Sequence, residues 1–315
     1  MSQANKVEKL SVVIPVLNER ESLPELHRRL LGVLTEIRVP YEIIIVDDGS
    51  TDGTFDILRS LPSVKAYRFL RNYGKTAALA CGIQNSSGDV IITMDGDLEN
   101  KPEDIPFFIK KFGEGYDVVS GWRKNRWTNQ WLTRRLPSAA ANFLISKITG
   151  VSLHDHGCMF KLFRKESLRP VVFLGDMHRF LAASAVLHGA KIAEIPISFE
   201  PRKYGKSKFG FSRTFGVILD IIAFRFFMKY ASRPMHFFGY TGFISIFLAL
   251  ASSLWAIYLR VVDSTHFSRT PLPVLIAIFT VVGILLILLG IVAEMIIRVS
   301  YGEKKLYEIL EEHHG

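Results

Sequence analysis

Apolar positions fall into two regimes along this chain. Over roughly the first two hundred residues, short apolar runs alternate with amphipathic stretches. Leu10–Val16, Tyr41–Val46, Val64–Leu70 and Val90–Met94 read as strands. In the last of these the apolar residues are consecutive, which suits a strand buried on both faces of a parallel sheet. Between the first two, Ser22 to Arg38 places Leu23, Leu26, Leu30 and Leu34 on one helical face, with Pro24 early, where a helix tolerates it. A second helix follows Thr51 and Asp52, which can cap it, and the Ala-rich stretch Ala77–Gln84 predicts a third. Tyr116–Gly121 and Ile192–Phe199 are further strand candidates. Strand, helix, strand, helix, strand predicts an α/β fold with a doubly wound, mostly parallel sheet.

The last third follows another pattern. Phe211–Met228 is apolar but carries Arg213, Asp220 and Arg225, which predicts an amphipathic helix lying in a membrane interface. Phe237–Leu259 and Leu272–Ala293 carry no charge, and each is long enough to cross the hydrocarbon of a bilayer. More Lys and Arg flank the pair (Lys229, Arg233, Arg298, Lys304, Lys305) than lie between the spans (Arg260, Arg269), so both ends are expected in the cytoplasm. The expected division is 1–208 catalytic, 209–234 interfacial, 235–300 membrane-spanning and 301–315 a polar tail in the cytosol.

Composition agrees with this division. Mean hydropathy is positive, +0.21, although 22% of the 315 residues are charged. A net charge of +9 suits nucleic acid, anionic lipid or phosphorylated substrates. Two cysteines, Cys81 and Cys158, make no disulfide framework.

The candidate chemistry gathers where strands end. Asp95-Gly96-Asp97 closes the strand at Val90–Met94. If the chain is still extended there, both carboxylates face one side, and Gly96 leaves room for close approach to the backbone. Two hard oxygen ligands at the carboxyl end of a strand suit Mg2+ or Mn2+ holding a diphosphate. Gly74-Lys75-Thr76 imitates the end of a P-loop, but the earlier glycine would fall at Phe69, and no Gly-x-Gly-x-x-Gly follows the first strand. His154, His156 and Cys158 alternate, but ligands two apart on one strand face do not readily wrap one Zn2+. Arg123, Lys124, Arg126, Trp127, Trp131, Arg134 and Arg135 interleave bases with aromatics, as for single-stranded nucleic acid or a lipid phosphate at a membrane surface.

Val13–Glu19 (Val-Ile-Pro-Val-Leu-Asn-Glu), Val46–Thr54 (Val-Asp-Asp-Gly-Ser-Thr-Asp-Gly-Thr), Arg71–Thr76 and Met94–Leu98 occur in that order. The set resembles family 2 glycosyltransferases of the GT-A fold, most of all the polyprenyl-phosphate glycosyltransferases related to dolichyl-phosphate mannose synthase. The resemblance spans nearly the whole chain. It implies that Pro15, Asn18, Glu19 and Asp47 line a nucleoside pocket, with Gly74, Lys75 and Gly96 also on the donor side. It implies that Asp95 and Asp97 face the metal and the donor diphosphate. Arg123 and Arg134 match arginines of a lipid-phosphate site, and Asp155 falls near the donor sugar. The loop Gly205-Lys206-Ser207-Lys208 resembles a family loop between catalytic domain and membrane, which makes Arg202, Lys206 and Ser207 candidates for phosphate contacts. Glu99 departs from the pattern, since many relatives carry Gln there. His178 and Arg179 read either as support for the site or as structural partners.

The resemblance thus implies metal-dependent, inverting transfer of one sugar from a nucleotide-sugar, UDP- or GDP-linked, to a polyprenyl phosphate at the cytoplasmic face of the inner membrane. Membrane lipid is an expected partner and nucleic acid is not. Relatives of this type include monomers and tetramers, so a homo-oligomer stays open. A processive polysaccharide synthase of the same fold usually carries Gln-x-x-Arg-Trp and more spans; here Arg126-Trp127 follows Arg123. A membrane-anchored nucleotide-binding scaffold without turnover is the reading from another class.

Overall fold

The computed structural model describes residues 5–124, 126, 136–169, 177–201, 223–226, 229–230 and 233–301, with backbone only at 136–137 and 298–301. The chain divides into two compact units, Met1–Phe224 and Arg225–Gly315. Most of the expected interfacial helix falls outside the described residues, as do Arg134, Arg135, Arg202, Lys206, Ser207 and nearly all of the tail.

The first unit is built on a seven-stranded sheet. Its strands are β1 (Leu10–Val16), β2 (Tyr41–Asp47), β3 (Val64–Arg68), β4 (Val90–Thr93), β5 (Val118–Trp122), β6 (Lys161–Arg164) and β7 (Ile192–Pro196), in the spatial order β3-β2-β1-β4-β6-β5-β7. All neighbours are parallel except at β6, which runs antiparallel to both β4 and β5. The helices are α1 (Leu23–Ile37), α2 (Thr54–Ser60), α3 (Lys75–Gln84), α4 (Ile105–Gly113), α5 (Leu136–Thr149) and α6 (Leu181–Leu187).

β1, β2 and β4 are buried along nearly their whole length, as expected of strands covered on both faces. α1 turns Leu23, Leu26, Leu30, Val33 and Leu34 into the core, the spacing of one helical face. Two strands are shorter than the apolar runs predict. β3 stops at Arg68, after which the Phe69 amide donates to the Asp47 carbonyl as the chain turns away. β7 stops at Pro196, whose nitrogen has no hydrogen to donate to a ladder. The segment holding His154, His156 and Cys158 is a loop, not a strand; the strand begins three residues later, at Lys161. The Cys158 thiol lies near the Phe160 carbonyl, His154 pairs with Glu194 and His156 bonds Ser146, so the three look to different partners.

At the amino end of the strands a buried carboxylate laces the sheet. Glu42 accepts from Ser11 Oγ (2.7 Å), Ser87 N (2.6 Å) and Ser87 Oγ (2.8 Å), and pairs with Lys65 Nζ at 2.6 Å. Burial alone would raise its pKa, but the bonds from Lys65, Ser11 and Ser87 outweigh that and hold it at about 2.

The second unit contains α7 (Pro234–Val262) and α8 (Leu272–Tyr301), both long and apolar enough to cross a membrane. Only 22% and 11% of their most apolar windows are buried, so Phe243, Phe247, Leu254, Val281, Leu285 and Ile296 face outward. Such a surface suits acyl chains rather than water. The helices run antiparallel and touch through glycine: a Cβ on Gly242 would meet the Gly283 carbonyl oxygen at 2.9 Å, and one on Gly283 would meet the Gly242 oxygen at 3.0 Å. Ser245 Oγ donates across the pair to the Phe279 carbonyl at 2.7 Å.

Because the folded pKa of Glu42 lies below the ordinary carboxyl value, its contribution is complete above about pH 4.5 and is lost as pH falls toward about 2. Glu42→Gln is expected to lower stability at neutral pH by about 1–3 kcal/mol and to flatten the acid limb of the melting-temperature profile between those values. An unchanged profile from thermal melts across pH would show that Glu42 contributes nothing there.

Candidate active site

The sheet's carboxyl-end rim collects nearly every described residue that the sequence singles out. Parallel strands deliver the segments that follow them: residues 17–22 after β1, 48–53 after β2, 94–101 after β4, and Arg123, Lys124 and Arg126 after β5. The order reverses at β1 and β4, where open α/β sheets bind ligands.

The first two loops are tied together. The Asn18 amide donates to Ser50 Oγ (2.8 Å), the Asn18 side-chain oxygen accepts from Thr51 N (3.0 Å), and the Glu19 amide donates to Thr54 Oγ1 (3.0 Å). The Glu19 carboxylate accepts from Ser22 Oγ at the start of α1. Pro15 is buried in β1 opposite Val46. Asn18 and Glu19 thus shape this corner through both backbone and side chain. Asp47 is fully buried; Oδ1 accepts from the Ser50 amide, whereas Oδ2 has no hydrogen bond and lies 3.7 Å from Arg68 Nε. Asp48 holds the next loop by accepting from the amides of Tyr73 and Gly74.

Past β4 the chain does not stay extended. It bends at Gly96–Glu99, Leu98 adopts φ +61°, and Asp97 Oδ1 accepts from the Glu99 amide. Strand periodicity therefore does not place the two carboxylates. What approaches Gly96 is the Val16 side chain, 2.7 Å from where a Cβ would stand. Lys75, at the start of α3, sets its ammonium 2.5 Å from Asp95 Oδ1. Burial pushes the Asp95 carboxyl up, but Lys75 and Arg123 outweigh it and keep it below the usual range. His178 Nδ1 lies 3.0 Å from Thr76 Oγ1, and burial together with Lys75 and Arg179 pushes it down to about 3, so it is neutral.

Arg123, buried just past β5, grips Asp155 with two prongs, Nε to Oδ2 at 2.7 Å and Nη2 to Oδ1 at 3.0 Å. Burial opposes the charge on both groups, and their mutual attraction overcomes it, raising Arg123 and lowering Asp155. The Arg123 side chain is 3% exposed. Its two prongs on Asp155 orient that carboxylate. Arg126 pairs with Glu99 at 3.4 Å, an ion pair between the chain beyond β5 and the acidic loop after β4.

Two residues here escape a reading of the sequence. Lys161 is fully buried at the start of β6 and donates to the His156 carbonyl at 3.2 Å and to the Cys158 carbonyl. Burial lowers its pKa. Its one available signal is a lone charge inside Met159-Phe160-Lys161-Leu162-Phe163. Glu194, on β7, accepts from the amides of His154 and Asp155 and lies 2.6 Å from His154 Nδ1.

Among the described residues, no group of three or more His, Cys, Asp or Glu side chains is placed to hold a metal. Asp95 and Asp97 supply hard oxygens, and the ammonium beside Asp95 marks a place that holds positive charge. That donor pair fits a cation that takes its remaining ligands from a diphosphate and water, as Mg2+ commonly does.

The fold and this rim are those of a glycosyltransferase of GT-A architecture. Residues 11–171 match the family described as Glycosyl transferase family 2, and the chain belongs to that family. It is 38% identical over 302 residues to dodecaprenyl-phosphate galacturonate synthase of Rhizobium johnstonii, covering 93% of this chain and 89% of the relative. It is 32% identical over 305 residues to undecaprenyl-phosphate 4-deoxy-4-formamido-L-arabinose transferase of Sodalis glossinidius, covering 95% and 91%. Among solved structures it resembles mannosyl-3-phosphoglycerate synthase of Rubrobacter xylanophilus (TM-score 0.57, 16% identity, 69% of this chain and 74% of that one). It also resembles glucosyl-3-phosphoglycerate synthase of Mycobacterium tuberculosis, solved with Mn2+, UDP and phosphoglyceric acid (TM-score 0.54, 17% identity, 70% and 78%). These two likenesses establish the fold.

Replacing Arg123 by Met would strand a buried carboxylate, and a loss of about 3–5 kcal/mol is expected. The double variant Arg123→Met/Asp155→Leu should recover much of that stability without recovering activity. Thermal melts beside a transfer assay distinguish this from a purely structural pair, for which the double variant would be active.

Proposed function

We propose that this chain transfers a single sugar from a nucleotide-sugar, UDP- or GDP-linked, to a polyprenyl phosphate, with inversion at the anomeric carbon. One observation carries the reading: similarity to two polyprenyl-phosphate sugar transferases over more than nine-tenths of the chain, rim and apolar helices included. The catalytic unit works at the cytoplasmic face of the inner membrane, anchored by α7 and α8.

The acceptor explains why no side-chain base is needed. A phosphate monoester has a second pKa near about 6, so at neutral pH it is largely a dianion and already a nucleophile. The protein's task is placement and charge. Asp47 Oδ2, buried without a hydrogen bond, suits a ring N–H of the donor's base. Lys75 supplies positive charge beside the diphosphate. Asp95 and Asp97 would hold Mg2+ or Mn2+, which when bound neutralises the leaving diphosphate. Asp155, fixed by Arg123, faces the sugar. Arg134, Arg202, Lys206 and Ser207 are assigned to the phosphates on the resemblance alone.

Asp97→Ala is expected to lower transfer at least about a hundredfold, measured as radiolabelled sugar moving from a nucleotide-sugar panel to undecaprenyl or dolichyl phosphate. A wild-type rate from purified variant would sink the proposal, as would a product carrying a polymer instead of one sugar. The rate should also rise with pH through about 6, as the acceptor loses its second proton.

A further inference from the structure

The loop that carries Asp155 is gripped by opposite charges on its two flanks. On one flank Glu194, reaching from β7, accepts from the His154 amide at 3.0 Å and the Asp155 amide at 3.1 Å. The same carboxylate lies 2.6 Å from His154 Nδ1, and the His154 ring stacks on Trp122 at 4.2 Å. On the other flank Lys161, reaching from β6, donates to the carbonyls of His156 and Cys158. Neither charge is an idle surface group. Lys161 is completely buried, and the Glu194 side chain is 12% exposed. An isolated buried charge is costly, so its placement must be compensated by bonds to the groups around it.

The loop's irregularity makes these bonds necessary. Residues 151–160 form neither helix nor strand, so their amides and carbonyls lack the partners that a ladder would provide. Glu194 takes two of the amides and Lys161 two of the carbonyls. Asp155 is thereby held at its backbone, while Arg123 fixes its carboxylate. We infer that Lys161 and Glu194 are positioning residues for transfer, a backbone clamp that sets Asp155 and Arg123 against the reacting sugar. This inference rests on the proposed transferase reading. Neither residue touches substrate in it; both act through the 154–158 backbone.

The clamp lies beside β5, β6 and β7, whereas the expected nucleoside pocket is formed by the loops after β1 and β2. Damage to the clamp should therefore spare nucleotide binding and appear in turnover. Lys161→Met and Glu194→Gln are made in the full-length chain. Transfer kinetics, titration calorimetry with UDP and with GDP, and amide hydrogen exchange are then measured. Expected are a kcat lower by about tenfold to a hundredfold, of the size that a misplaced reacting group produces, and a Kd for the bound nucleotide within about twofold of wild type. Faster exchange confined to residues 153–158 is expected as well. Should Lys161→Met fail to fold, Glu194→Gln, nearer the surface, carries the same test.

Wild-type kcat in a folded variant overturns the clamp. So does a parallel loss of nucleotide affinity and kcat, which marks a general structural defect. Unchanged exchange at 153–158 overturns it independently of any activity. Failure of the wild-type chain to transfer any sugar overturns the transferase reading instead, and the exchange result then decides separately whether the backbone clamp exists.

Discussion

One strand runs against the other six, and the rim is built around that reversal. A parallel strand delivers to its carboxyl end the loop that follows it; an antiparallel neighbour delivers the loop that precedes it. β6 lies between β4 and β5 with Lys161 opposite both Thr93 and Ser120. The loop carrying Asp155 therefore emerges between those carrying Asp95 and Arg123. With β6 parallel, Asp155 would sit at the far end of the sheet. A shift of one residue in register would send the Lys161 side chain to the opposite face.

That meeting point concentrates charge in a place poor in water. Lys75 answers Asp95, Arg123 answers Asp155 and Arg126 answers Glu99, each across a different pair of loops. The pairs do little as generic stabilisers, since desolvation offsets much of their attraction. Their value is geometric. Each one fixes a loop that has no ladder of its own, so the field at the rim is set before a ligand arrives. The lacing around Glu42 does the corresponding work at the other end of the strands, where no chemistry competes with it.

How much of this can be read from the chain depends on how local the cause is. β1, β2 and β4 are announced by apolar runs, and α1 by leucines at helical spacing, because burial of one element writes itself into that element's own residues. β6 has only four residues, opens on a lysine and follows a loop whose alternating His and Cys imitate a strand. Asp95, Asp97, Arg123 and Asp155 are legible from motif order. The Arg123–Asp155 pairing is not, because it depends on the direction of a strand the pattern does not reveal. Glu194 and Lys161 are quieter still: each bonds to main chain, and a main-chain partner leaves no mark in the sequence.

The contact of Gly242 with Gly283 constrains both helices. Where their backbones touch there is no space for even a methyl group, so alanine at either glycine would force the two apolar helices apart and loosen the second unit there.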